Sequence, residues 1–143
     1  MIKLKKISPV VIAIIVGSIC AIYLYNKEFK GSVNKYNRVA IQVGAFKSLD
    51  SANSLRDNLG GIVIDDDGIY RVYVSILKNS DNINFFKDEL DKKNISYYIK
   101  DIYLDDNKYL ESIKYEELME KTNNFKLKMK INNELLNYYK ETL

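Results

Sequence analysis

The 143-residue chain contains no histidine and no tryptophan, and it has a single cysteine and a single proline. Without histidine there is no imidazole to act as a general base near neutral pH, and no serine can be activated by the usual hydroxyl–imidazole pair. The lone Cys20 cannot close an intrachain disulfide, and a structural zinc site needs a Cys/His cluster that the sequence does not contain. No glycine-rich phosphate loop is present. The acidic run Asp65-Asp66-Asp67 leads into Gly68 without the alternating oxygen ligands of an EF-hand, so it reads as turn chemistry rather than a metal site. These absences point away from an enzyme and leave no cofactor and no metal to expect.

A basic excess on the folded part is missing as well. The net charge of +3 is carried entirely by Lys3, Lys5 and Lys6, and the remaining 19 basic side chains are matched by 19 acidic ones. Nucleic-acid binders gain affinity by neutralising phosphates, so a neutral domain excludes the usual electrostatic footprint of that class. With 47% hydrophobic residues and few glycines, the chain has the composition of an ordinary folded domain rather than a disordered one.

What is present begins with one uncharged run, Val10–Leu24. From Ser8 to Tyr25 the 18 residues would make roughly 27 Å of helix, close to the ~30 Å hydrocarbon thickness of a bilayer. Tyr23 and Tyr25 stand at its end, where aromatic rings favour the headgroup region. The three preceding lysines predict a cytoplasmic N-terminus by the positive-inside rule, with the remainder extracytoplasmic. A cleaved signal peptide wants a small-residue cut site, which is poorly formed after Cys20, and a buried core helix is the plain structural alternative. Residues 1–25 are thus expected to be a cytoplasmic tip and a transmembrane helix at the cell membrane, and residues 26–37 (NKEFKGSVNKYN) a polar linker.

From Arg38 the pattern alternates between strand and helix. Val39, Ile41 and Val43 recur with period two. Ser48 or Asp50 can cap a helix carrying Ala52, Leu55 and Leu59 on one stripe, and Gly60-Gly61 stops it. Gly61–Asp65 and Ile69–Ile76 flank Asp67-Gly68, a strong hairpin signal. A helix from about Asp81 to Lys93 and a strand over Ile95–Leu104 complete a β-α-β-β-α-β order. The expected class is α+β, with a four-stranded antiparallel sheet and two helices on one of its faces. Residues 105–143 read as a C-terminal helical extension, since Lys108–Lys140 contains no Pro or Gly; Tyr115, Leu118, Phe125, Met129, Leu136 and Tyr139 form an imperfect heptad stripe. That stripe can pack back on the domain, pair with a second copy or hold a protein partner.

Two helices on one face leave the other face bare, and its residues follow from the alternation. If Val72 and Val74 point into the core, then Arg71, Tyr73 and Ser75 share the open face with Gln42. An amide, a guanidinium, a phenol and a hydroxyl suit a sugar, whose hydroxyls need donors and acceptors and whose flat side stacks on an aromatic ring. Gln42, Arg71, Tyr73 and Ser75 are therefore the candidate glycan-binding residues.

Three stretches also resemble a known family. Val39-Ala-Ile-Gln-Val-Gly-Ala-Phe46 is similar to the opening strand of SPOR (sporulation-related repeat) domains, Ser51–Leu59 to their first helix, and Tyr70-Arg71-Val72-Tyr73-Val74 to their third strand. The resemblance covers residues 38–104. It implies the same β-α-β-β-α-β fold and binding to peptidoglycan glycan strands, in single-pass membrane proteins that gather at division septa or serve sporulation. By motif it singles out Gln42 and Arg71. Where the family strand usually continues Gly-Pro-aromatic, this chain has Ser75-Ile76-Leu77, and it adds the helical extension. The expected function is a non-catalytic, membrane-anchored cell-wall module. The alternative is a membrane-tethered scaffold that recruits a protein through its C-terminal helix.

Overall fold

A computed structural model describes residues 35–142. The expected transmembrane helix and most of the expected linker lie outside the described residues. Among those described, no helix is long and apolar enough to cross a membrane.

The element order is β1 (Tyr36–Phe46), α1 (Leu49–Leu59), β2 (Ile62–Asp66), β3 (Ile69–Leu77), α2 (Ser80–Lys92), β4 (Tyr98–Leu104), α3 (Asp106–Glu120) and α4 (Phe125–Thr142). The four strands form one antiparallel sheet in the order β2-β3-β1-β4, so the class is α+β. Local chemistry sets most boundaries. The Ser48 side chain accepts from the Ser51 amide to start α1, and Asn79 does the same for α2 through the Asn82 amide. Asp67 and Gly68 both take positive φ, 51° and 82°, as the tight β2–β3 turn demands. The Asp65 carboxylate closes that turn by accepting from the Gly68 amide at 2.8 Å.

Two boundaries shift from the sequence expectation. β1 starts at Tyr36 because β4 supplies partners back to that point, Tyr36 facing Leu104. β4 begins only at Tyr98, because Asn94 turns left-handed (φ 54°) and the Ile95 amide still bonds back to the Leu90 carbonyl of α2.

The larger difference is in the extension, which is two helices and not one. No Pro or Gly breaks it; side chains do. The Thr122 hydroxyl accepts from the Asn124 amide and the Asn124 carboxamide accepts from the Leu127 amide, so backbone donors between the helices are held by local side chains. The break rotates the heptad stripe out of register. Met129, Leu136 and Tyr139 face the core, whereas Leu118 and Phe125 stand exposed.

α3 and α4 belong to the same compact unit as the sheet, Asn34–Leu143. Met119, Leu135, Leu136 and Tyr139 are fully buried in one cluster with Ala40, Ile41, Ile76, Leu77, Phe86 and Leu90. α4 packs against β2 and β3, and the Asn132 side-chain carboxamide donates to the Val74 carbonyl at 2.8 Å. That carbonyl lies just past the last β2–β3 pair, Ile62 with Tyr73, where the shorter β2 leaves β3 without a strand partner. The helix thus satisfies a backbone acceptor that the sheet does not. The end of β3, Val72–Leu77, is buried at six successive positions, the mark of a strand covered on both faces.

A buried polar junction ties α3 to the strand ends. Arg38, 1% exposed, donates to the Ser112 hydroxyl at 2.8 Å and to the Asn37 carbonyl at 2.9 Å, and sits 3.6 Å from the Glu116 carboxylate. Its guanidinium also lies over the Tyr109 ring, which stacks on Tyr36. Glu116 in turn accepts from the Lys78 and Asn79 amides, the donors just past the end of β3. Tyr139 packs beside this group, and burial pushes its hydroxyl up to about 12, so the ring stays neutral there.

Candidate functional site

Whether the four candidate residues share a face depends on pairing register, because directly opposed residues in a ladder point the same way. Gln42 faces Tyr73 on β3 and Tyr98 on β4. Arg71 lies two residues from Tyr73 along a regular stretch, opposite Ile64. Gln42, Arg71 and Tyr73 therefore occupy one face, together with Tyr98 and Lys100.

Ser75 does not join them. The β1–β3 ladder runs Ile41 to Ser75 and then Gln42 to Tyr73, which leaves Val74 without a partner; Val43 is skipped in the same way one step later. Each bulge inserts one extra residue, and the pair restores the register. Because Ile41 and Gln42 are neighbours on a regular stretch of β1, Ser75 faces the side opposite to Tyr73. The alternation that placed Ser75 on the open face is corrected by this bulge. Ser75 is fully buried, and its hydroxyl has no hydrogen-bond partner among the described residues. Replacing it should then cost nothing. Ser75→Ala is expected to be neutral or to stabilise the fold by up to about 1 kcal/mol, checked by urea unfolding.

Tyr73 is on the expected face but is 5% exposed, in the core cluster with Leu135 and Leu136. The face is not bare at this end, where α4 packs against β2 and β3. So little of the ring is exposed that it cannot serve as a stacking platform. The exposed aromatic of this face is Tyr98, at 65%. Its orientation was not legible in the sequence, since Tyr97 and Tyr98 are adjacent and either can point outward; only the pairing with Gln42 decides it.

Arg71 donates to the Asp66 carboxylate at 2.7 Å, and both groups remain in contact with solvent. That hydrogen bond holds the guanidinium still more firmly in its charged form. Between this pair and Lys100 runs a shallow groove of about 250 Å³, lined by Ile64, Asp65, Asp66, Tyr73, Ile76, Lys100 and Ile102. Ile64, Ile76 and Ile102 give it an apolar floor, and Asp65, Asp66 and Lys100 supply its charges. Gln42 borders a neighbouring hollow of about 190 Å³ with Gly44, Ser96 and Tyr98. One face thus combines an amide, an ion-paired guanidinium, an ammonium and an exposed phenol around a shallow trough. It can hydrogen-bond a polar ligand and pack against an apolar patch of it.

A larger cleft, about 390 Å³, lies elsewhere, lined by Arg38, Lys78, Asn79, Ile113, Glu116, Glu117 and Glu120. Arg38 and Glu116 in its lining are engaged in the junction that joins α3 to the strand ends. No group of three or more metal-ligating side chains occurs among the described residues.

Searches of protein-family models, of curated proteins and of solved structures give no significant match to this chain.

Proposed function

We propose that the protein is a non-catalytic carbohydrate-binding module that holds peptidoglycan glycan strands against the sheet face carrying Gln42, Arg71 and Tyr98, and that its N-terminal segment anchors it in the cell membrane with this domain on the wall side. The reading takes α1 and α2 to cover the opposite face. The observation that carries it is the common facing of Gln42, Arg71 and Tyr73 beside a shallow trough with an apolar floor. The motif resemblance to SPOR domains supports the same ligand class. Tyr98 stacks on a pyranose, while Gln42, Arg71 and Lys100 bond its hydroxyl and acetamido groups. Tyr73 acts as floor.

The test is retention of the self-contained fragment Asn34–Leu143 on purified sacculi stripped of stem peptides. The double variant Gln42→Ala/Arg71→Ala is expected to bind at least about tenfold more weakly, as loss of one charged and one neutral hydrogen bond implies. Tyr98→Ala should lower binding further. Equal retention of wild type and the triple variant would sink the reading.

The competing scaffold reading draws on exposed leucines of the helical pair, Leu110, Leu118 and Leu127. Deleting α3 and α4 does not separate the two, because Met119, Leu135 and Leu136 are core residues whose loss would unfold the sheet. Surface substitutions do.

A further inference from the structure

Around the turn joining α3 to α4 the chain reads Lys121-Thr-Asn-Asn-Phe-Lys-Leu-Lys-Met-Lys130, four lysines with no acid among them. Three lysines elsewhere on the helices pair with an acid three residues before them: Lys92 with Glu89, Lys108 with Asp105 and Lys114 with Glu111. Among the described residues none of the four lysines in the turn region makes an ion pair; Lys128 instead lies 4.8 Å over the Phe85 ring. Lys121, Lys126 and Lys130 are exposed. In the same stretch or one turn before it, Leu118, Phe125 and Leu127 keep 44–51% of their surface in water. The Thr122 and Asn124 side chains fix the turn through the hydrogen bonds already described, so little order is left to impose on binding.

We propose that this turn and the start of α4 form a docking site for an anionic lipid surface. Unpaired lysines interleaved with exposed leucine and phenylalanine match the interface of a charged bilayer, which takes ammonium groups at the headgroups and apolar side chains just beneath them. An anionic polymer would use the lysines alone and leave the leucines idle. The site is separate from the sheet face and does not depend on the glycan reading. Each lysine near an anionic surface raises the binding constant about fivefold.

The chain's lack of tryptophan supplies the probe. In fragment Asn34–Leu143, Leu127→Trp gives a single indole at the proposed contact. Its emission is expected to shift to the blue on mixing with vesicles of equal parts phosphatidylglycerol and phosphatidylcholine, and not with phosphatidylcholine alone. Co-sedimentation with the mixed vesicles should fall roughly 25-fold in Lys126→Gln/Lys130→Gln, and clearly in Leu118→Ser/Leu127→Ser. All four side chains are exposed, so circular dichroism should show each variant folded. Absence of a blue shift overturns the proposal. So does sedimentation that depends on the lysines but not on the leucines, which would identify a purely ionic contact with an anionic polymer or acidic protein. Gln42→Ala/Arg71→Ala should leave vesicle binding unchanged, which keeps failure here distinct from failure of the glycan reading.

Discussion

Arg38→Met is expected to lower the unfolding free energy by about 3–5 kcal/mol, measured from urea midpoints at constant slope. The side chain is fully enclosed, and it is both the hydrogen-bond donor to Ser112 and the counter-charge to Glu116. Methionine fills much of the volume but leaves the Glu116 carboxylate buried with only the Lys78 and Asn79 amides for partners. A buried charge that loses its partner costs far more than the pair contributed, because desolvation is no longer offset. The companion Glu116→Gln removes that penalty while keeping an acceptor for the amides. The double variant Arg38→Met/Glu116→Gln should therefore lose at least about 1 kcal/mol less than the two single losses added together. A loss from Arg38→Met below about 1 kcal/mol would mean that water reaches the junction and that α3 is held to the strand ends by apolar packing alone.

Gly61→Ala is expected to be comparably damaging, about 3–5 kcal/mol, with two causes acting at once. Gly61 has φ of 108°, outside the range that residues with a Cβ adopt readily, and a Cβ built there would lie 2.2 Å from the Tyr73 carbonyl oxygen. That oxygen is backbone in a paired strand and cannot step aside without opening the β2–β3 ladder at Ile62–Tyr73. Gly68→Ala is the informative control. Gly68 also has positive φ, 82°, but a Cβ added there would meet nothing within 4 Å, so only the conformational cost remains, about 1 kcal/mol. Equal effects from the two substitutions would show that the close approach at Gly61 contributes nothing.

The Gly61 contact also shows where a sequence pattern stops being informative. Gly60-Gly61 is legible as a helix stop, and Gly60 does close α1 through its amide to the Arg56 carbonyl. The close approach of Gly61 to Tyr73 is a contact between strands and has no sequence signature. Ser75 illustrates the same limit from the other side. Period-two alternation puts it beside Tyr73, and one unpaired residue at Val74 reverses its facing. A bulge arises from how two strands fit together, so neither strand announces it. For Tyr73 the alternation gives the face correctly but not the exposure, because the core cluster that buries it includes residues such as Leu135 and Leu136, some sixty residues on.

The sequence by itself determined the order of the first six elements, the turn at Asp67-Gly68 and the shared facing of Arg71 and Tyr73 along β3. All of these follow from interactions between residues close along the chain, or from the two-residue period of a strand. Tertiary structure alone decided that Arg38 is a buried ion, that Tyr98 rather than Tyr73 is the exposed ring, and that the C-terminal helices complete the core instead of standing apart. Each of those depends on partners far away in sequence, and burial is a property of the whole packed unit that no local pattern carries.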